Sequence, residues 1–219
     1  MSEMIENFNH ELVLDHLIRQ IEGSGKLYGP AFVRMAVRFA AEFEAGKLGE
    51  DPPDIETLDD LKKYLLDNFE RYPFCYCPAI YGLVKAESTF QGAPGSDTRR
   101  TAVEFAKKMD GQPKERGESS LTTAIENFIQ MTLEMNVTVP STVEGVDANG
   151  AAIVSIEKCP YKDVCFKFEE EGITKMIGGK PCVVLRVLIS AVSLMLNEEC
   201  EYHLDEFNTP RCRGRVFIL

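Results

Sequence analysis

The chain of 219 residues sets 35 Asp and Glu against 24 Lys and Arg, a formal charge of −11. Its 44% apolar content excludes a disordered chain, and at this length folding requires neither disulfides nor metal. So acidic a surface also excludes bulk binding to a phosphate backbone, which wants clustered Lys and Arg; no nucleic acid partner is expected.

The first half reads as helices. Leu14, Leu17, Ile18 and Ile21 share one face of a segment starting near Asn9. Gly29-Pro30 breaks it, and Pro30 suits the first position of the next helix. Phe32, Ala36, Phe39 and Phe43 give that helix its apolar stripe, with Gly46 as the expected stop. A third helix is expected from about Thr57, with Leu58, Leu61, Leu65 and Phe69 inward, and a short fourth from Pro78 to Ala86. Residues 91–96 read as a loop, Asp97 as the cap of a helix carrying Ala102, Phe105 and Met109, and 111–118 as a polar linker. Ser119 or Ser120 then caps a helix with Leu121, Ala124, Ile125 and Phe128 inward.

After Met135 the period drops from 3.6 to 2. Asn149-Gly150 between two alternating runs predicts a hairpin with a two-residue turn, pairing Val143 with Ile156 and Val146 with Ile153. A second hairpin closes the chain. A five-residue loop at 206–210 sets Asp205 opposite Arg211 and Glu201 opposite Arg215, so Arg211, Arg213 and Arg215 read as structural cross-strand partners. Between the hairpins, 181–197 predicts a buried helix whose exceptions, Arg186, Ser190, Ser193 and Asn197, form one polar stripe. That stripe reads as a hydrogen-bonding seam, or as the wall of a ligand cavity or dimer interface. The order predicts an α+β fold: an antiparallel sheet of about four strands built from two hairpins, covered by helices, with an N-terminal helical layer. The organisation expected is one domain over 1–219, with 1–118 as the helical layer and 119–219 as the hairpin–helix–hairpin part.

No basic region followed by an apolar run opens the sequence, so no secretory leader is expected. The longest apolar stretch, 182–196, falls short of the ~20 residues a bilayer demands and contains Arg186, so no transmembrane segment and a cytoplasmic location are expected. Seven cysteines, an odd count, point to thiols, a metal site or redox chemistry in preference to a disulfide scaffold. The pairs Cys75/Cys77 and Cys159/Cys165 are spaced by one and five residues, unlike the common zinc knuckle. Cys200 and Cys212 read as core thiols. Cys159 and Cys165 flank a turn, where Lys158 and Lys162 favour a thiolate, and they are the candidate nucleophiles. A base for them has to come from His10, His16 or His203, none of which is tied to a cysteine by a local pattern. No phosphate loop, HExxH, GxSxG or GxGxxG motif is present.

Four segments in the second half carry a resemblance: Cys-Pro-Tyr-Lys-Asp-Val-Cys at 159–165, Pro-Cys-Val-Val-Leu-Arg-Val-Leu at 181–188, Glu-Cys-Glu-Tyr-His-Leu at 199–204 and Arg-Cys-Arg-Gly-Arg-Val-Phe-Ile-Leu at 211–219. In order and content they resemble the vinyl-reductase-like, or hydrocarbon-binding, domain, and the helix and last hairpin are similar to small subunits of the TRAPP tethering complex. The resemblance covers about 119–219; residues 8–46 resemble that fold's opening helices, and 47–118 an insertion. It implies a homodimer and a non-enzymatic module that binds a small hydrophobic molecule or acts as an adaptor, with a cavity lined by Phe32, Phe39, Phe128, Leu185 and Ile189. It also implies a possible zinc or redox role for Cys159, Cys165, Cys182 and Cys212; no other cofactor is implied, and reductase activity is not. A second resemblance, of the Cys-Pro-Tyr turn and Cys-rich hairpin to aminothiazoline-carboxylate hydrolases, implies a cysteine-dependent hydrolase or redox enzyme.

Overall fold

The computed structural model describes residues 9–90, 120–137, 141–173, 181–207 and 211–219. The helix expected from Asp97, the 91–96 loop and the 111–118 linker lie outside them. The order is α1 (His10–Tyr28), α2 (Pro30–Leu48), α3 (Leu58–Asp67), α4 (Tyr76–Thr89), α5 (Leu121–Glu134), β1 (Ser141–Val146), β2 (Ala152–Glu157), α6 (Lys162–Glu170), α7 (Val183–Leu196), β3 (Cys200–Phe207) and β4 (Arg211–Ile218). The fold is α+β, with a four-stranded antiparallel sheet in the order β1-β2-β4-β3. No described helix is long and apolar enough to cross a membrane. The chain divides into two compact units, a helical one of α1–α4 with α6 and a sheet unit of α5, α7 and the four strands. The return of α6 to the first helices is invisible in a linear reading, which sees only a turn between Cys159 and Cys165.

In the helical unit the caps fall where the residue types ask. Asn9 accepts from the Leu12 amide and Thr57 from the Asp60 amide, each satisfying a donor left open by the first helical turn. Pro30 begins α2. Gly46 does not end that helix; Gly49 does, at φ +71°, a left-handed conformation that glycine adopts without steric cost. A fully buried cluster of Ile21, Phe32, Ala36, Leu83 and Ala86 joins α1, α2 and α4. Small residues let α2 and α4 approach closely, since a Cβ on Gly82 would meet the Ala36 carbonyl oxygen at 2.2 Å and the Ala40 Cβ at 3.0 Å.

In the sheet unit α5 and α7 pack on β1 and β3. Along β4, Cys212, Gly214 and Val216 face inward while Arg211, Arg213 and Arg215 face out. Ser120 caps α5 and Asn197, in the left-handed conformation, ends α7. The first hairpin departs from the expected register. Val143 pairs with Val154, Gly145 with Ile153 and Val146 with Ala152. Asp147 Oδ1 accepts from the Asn149 and Ala151 amides and widens the turn by one residue, and a bulge between Val143 and Gly145 shifts the register by one more. The second hairpin is also offset from the expected register: Phe207 pairs with Cys212 at the loop end and, past a bulge between Leu204 and Glu206, His203, not Glu201, lies opposite Arg215. The arginines are nonetheless paired: Arg215 holds Asp205 at 2.7 Å, Arg213 holds Glu144 at 2.7 Å, and Arg211 reaches Glu206 at 3.3 Å. These contacts hold the Asp205 and Glu144 carboxyls below the usual carboxylate range.

Candidate functional site

Two polar clusters stand in the helical unit, and they differ in whether their groups are satisfied. The first joins α4 to α6. Tyr81 Oη donates to Glu171 Oε1 at 2.7 Å, and Lys85 Nζ, ion-paired with Glu171 Oε2 at 3.0 Å, donates to Tyr81 Oη. The Lys85 ammonium also lies over the Phe39 and Tyr81 rings, at 4.8 and 4.9 Å. Burial and the bond to Glu171 push the Tyr81 phenol well above its ordinary range, so it is no base. Burial works the other way on Glu171, but the bonds from Tyr81 and Lys85 prevail and hold it low. Every group has its partner, and this is what a structural network looks like.

The second cluster is built on Glu44. Ala36, Ala40 and Glu44 recur every four residues along α2, so Glu44 continues the face whose earlier members pack against Gly82. Its side chain is fully enclosed, and neither carboxyl oxygen has a hydrogen-bond partner. The enclosed Tyr64 hydroxyl on α3 is likewise without a partner. Burial pushes the Glu44 carboxyl up to about 8, against a smaller opposing pull from the Arg71 guanidinium. At neutral pH it is therefore mostly uncharged.

The groups that feel Glu44 are Tyr64, Tyr72, Cys75 and Arg71. Burial first, then the nearby carboxyl, pushes the Cys75 thiol up to about 12. Tyr64 and Tyr72 are raised for the same leading reason. Three donors of this unit are engaged elsewhere. Arg71 bonds Glu50 at 2.7 Å and Asn68 at 3.3 Å, Tyr72 Oη donates to Asp163 at 3.2 Å, and Lys47 pairs with Asp163 at 3.2 Å. None of these three gives the Glu44 carboxyl a hydrogen bond.

The residues singled out in the sequence are spread over both units. Phe32 is fully buried, stacked on Tyr28 at 5.2 Å and edge-on to Phe90 at 5.6 Å; Phe39 is half-buried beneath Lys85. Both belong to the helical unit. Phe128, Leu185 and the half-buried Ile189 belong to the sheet unit, where Leu185 packs over Gly214. All seven cysteines are thiols, and Cys159 alone is not buried. Cys165 lies buried inside α6 instead of beside a turn, and Cys182 caps α7 through its sulfur, 3.4 Å from the Leu185 amide. Among the described residues no three His, Cys, Asp or Glu side chains are placed to hold one metal ion. His10 stacks on Tyr76, His16 bonds Gln20 at 3.2 Å, and His203 bonds Asp205 at 3.2 Å. On α7, Ser193 accepts from the Cys200 amide and Ser190 donates to the Arg186 carbonyl, so the polar stripe includes a seam to β3.

Glu44 escaped the sequence reading because an acid beside Phe43 passes for a solvated one. A usable signal existed. Glu42 has Arg38 four residues before it and bonds it at 2.8 Å, whereas Glu44 has Ala40 and Leu48 at those positions, and Lys47 reaches Asp163 instead.

No protein-family model matches this sequence, and no curated protein does. Among solved structures the chain is similar to the I5F mutant of the T. tengcongensis H-NOX, at 14% identity, with 94% of each chain covered and a TM-score of 0.42. A superposition that loose carries no argument about this chain.

Proposed function

We propose that this protein is a non-catalytic module that binds a small, mostly apolar molecule in its helical unit, working as a dimer. The observation that supports it is Glu44: a fully enclosed carboxyl with two unpartnered oxygens, in the same unit as an equally unpartnered Tyr64 hydroxyl. A protein that buries such groups without satisfying them forgoes stability, on the order of 1–3 kcal/mol for each. Small-molecule sites combine an apolar lining with a few placed polar groups of this kind, often with displaced pKa values. Buried Leu61 and Leu65 on α3 and Ala40 and Ala41 on α2 supply apolar neighbours along the same helices. The test is a native mass spectrum of gently purified protein followed by a denaturing one. A small-molecule mass that is lost on denaturation, on a dimeric assembly, supports the proposal. A native mass equal to the bare polypeptide, before and after incubation with a mixed apolar extract, contradicts it.

A second reading, a cysteine-dependent hydrolase or redox enzyme, rests on Cys159 as the one cysteine left partly open to solvent. A Cys159→Ser variant with unchanged turnover of any substrate found removes it.

A further inference from the structure

We infer that Asn149 is a site of spontaneous chemical modification: its side-chain amide is lost as ammonia through a ring closed by the backbone nitrogen of Gly150, leaving aspartate and isoaspartate. The inference is independent of the ligand reading and rests on the turn between β1 and β2.

That turn meets the needs of the reaction. Ala148, Asn149 and Gly150 are all exposed, so water and hydroxide reach the reacting atoms. Gly150 has no Cβ to shield its nitrogen, and a Cβ built there would meet nothing within 4 Å, so the surroundings leave room for the ring. The ring closes between adjacent residues, and chain geometry alone keeps the attacking nitrogen close to the side-chain carbonyl carbon. Of the chain's asparagines Asn149 alone precedes glycine; the others precede Phe, His, Val, Glu or Thr, whose side chains crowd the approach.

The turn also resists. Gly150 N–H donates to the Asp147 carbonyl oxygen at 3.1 Å, and Ala151 N–H to Asp147 Oδ1 at 3.0 Å. The Gly150 nitrogen must give up its hydrogen before it attacks, so the first bond has to open, and turning the chain toward the side chain strains the second. Opening both slows ring closure by roughly tenfold to a hundredfold against an unfolded chain.

The only co-reactant is water. The Gly150 nitrogen loses its proton to hydroxide and attacks Asn149 Cγ; the N–C bond forms, the Cγ–Nδ2 bond breaks, and the nitrogen leaves as ammonia with a proton from water. Water then opens the ring at either carbonyl. One route restores the ordinary backbone as aspartate. The other leaves Cβ and Cγ of residue 149 in the main chain, as isoaspartate. The added length falls between the Asn149 and Ala151 amides, which Asp147 Oδ1 holds at 2.8 and 3.0 Å, so this product loosens that clasp.

The experiment ages the full chain, folded and near neutral pH, then digests it and follows every asparagine peptide by chromatography and mass spectrometry, with denatured chain aged alongside. The peptide holding Asn149 is expected to exchange NH2 for OH several-fold faster than any other asparagine peptide, and more slowly than in the denatured chain. Two products of equal mass are expected, one matching the peptide from Asn149→Asp and the other isoaspartate. Asn149→Gln, which would need a larger ring, is expected to lose the conversion. An Asn149 that stays intact in the folded chain while the denatured chain converts overturns the inference. So does conversion no faster than at the other asparagines, or the aspartate product alone, which would mean direct hydrolysis without a ring.

Discussion

A Cβ built on Gly82 would stand 2.2 Å from the carbonyl oxygen of Ala36. The neighbour is backbone, which cannot swing aside, so the closeness of α2 and α4 depends on a missing methyl group. The same face of α2 continues through Ala40 to Glu44, and the tight seam is what holds that carboxyl inside. Gly82→Ala is expected to cost about 1–3 kcal/mol in chemical denaturation, through overpacking. Gly46→Ala is the control: it sits inside α2 with nothing within 4 Å of its added Cβ. There the expected change is a gain of about 0.5–1 kcal/mol from helix propensity. Equal effects at the two glycines contradict the seam.

The pH dependence of stability carries the signature of Glu44. Its carboxyl is raised from 4.5 to about 8 on folding. The folded chain therefore holds a proton that the unfolded chain gives up. That contribution is fully present below pH 4.5, and stability falls as pH rises through about 8. The whole step amounts to roughly 5 kcal/mol at most, from ~1.36 kcal/mol per unit. Glu144, Glu171 and Asp205 are lowered and act in the opposite sense at acid pH, so the readout is the difference between wild type and Glu44→Gln. The difference in unfolding free energy is expected to change with pH between 5 and 8; a constant difference contradicts an enclosed acid.

Tyr81→Phe removes a donor from Glu171 and an acceptor from Lys85. The expected loss is about 1–3 kcal/mol, the cost of leaving partly buried polar groups short of a partner. Glu171 should then move up toward the ordinary carboxylate range. Its contribution, present above 4.5 and lost as pH falls through the lowered folded value, is expected to fade at a higher pH in the variant. Acid denaturation curves of the two proteins measure that.

The family resemblance implies Leu185 as a ligand contact; in the structure it is fully buried, with its Cδ1 2.9 Å from where a Gly214 Cβ would lie. Leu185→Ala is expected to destabilise by about 2–5 kcal/mol, a core cavity effect. The small-molecule mass carried by the native protein, recorded at a temperature where the variant is folded, should not change. A change there moves the ligand toward the sheet unit.

Much of the architecture is legible in the residues themselves. The caps at Asn9, Thr57 and Ser120, the break at Gly29-Pro30 and the change of period after Met135 are local signals, and local physics decides them. The departures are where one side chain overrides a pattern. Asp147 captures two amides and widens a turn that Asn149-Gly150 would have closed in two residues. Gly46 stays helical because Gly49 supplies a better left-handed cap. The candidate site is less legible, since Glu44 acquires its meaning only from what encloses it. Neither Tyr64 nor Cys75 is near it in sequence, and the absence of a donor at i±4 is a faint sign on its own.

The most direct measurement follows the side-chain carboxyl carbons of glutamate by carbon-13 NMR across a pH titration, in wild type and Glu44→Gln. One resonance is expected to titrate with a midpoint near 8 and to be missing from the variant, as an enclosed and unpartnered acid requires. If every glutamate titrates in the ordinary range near 4.5, Glu44 is in contact with water or paired, and the ligand site built on it falls.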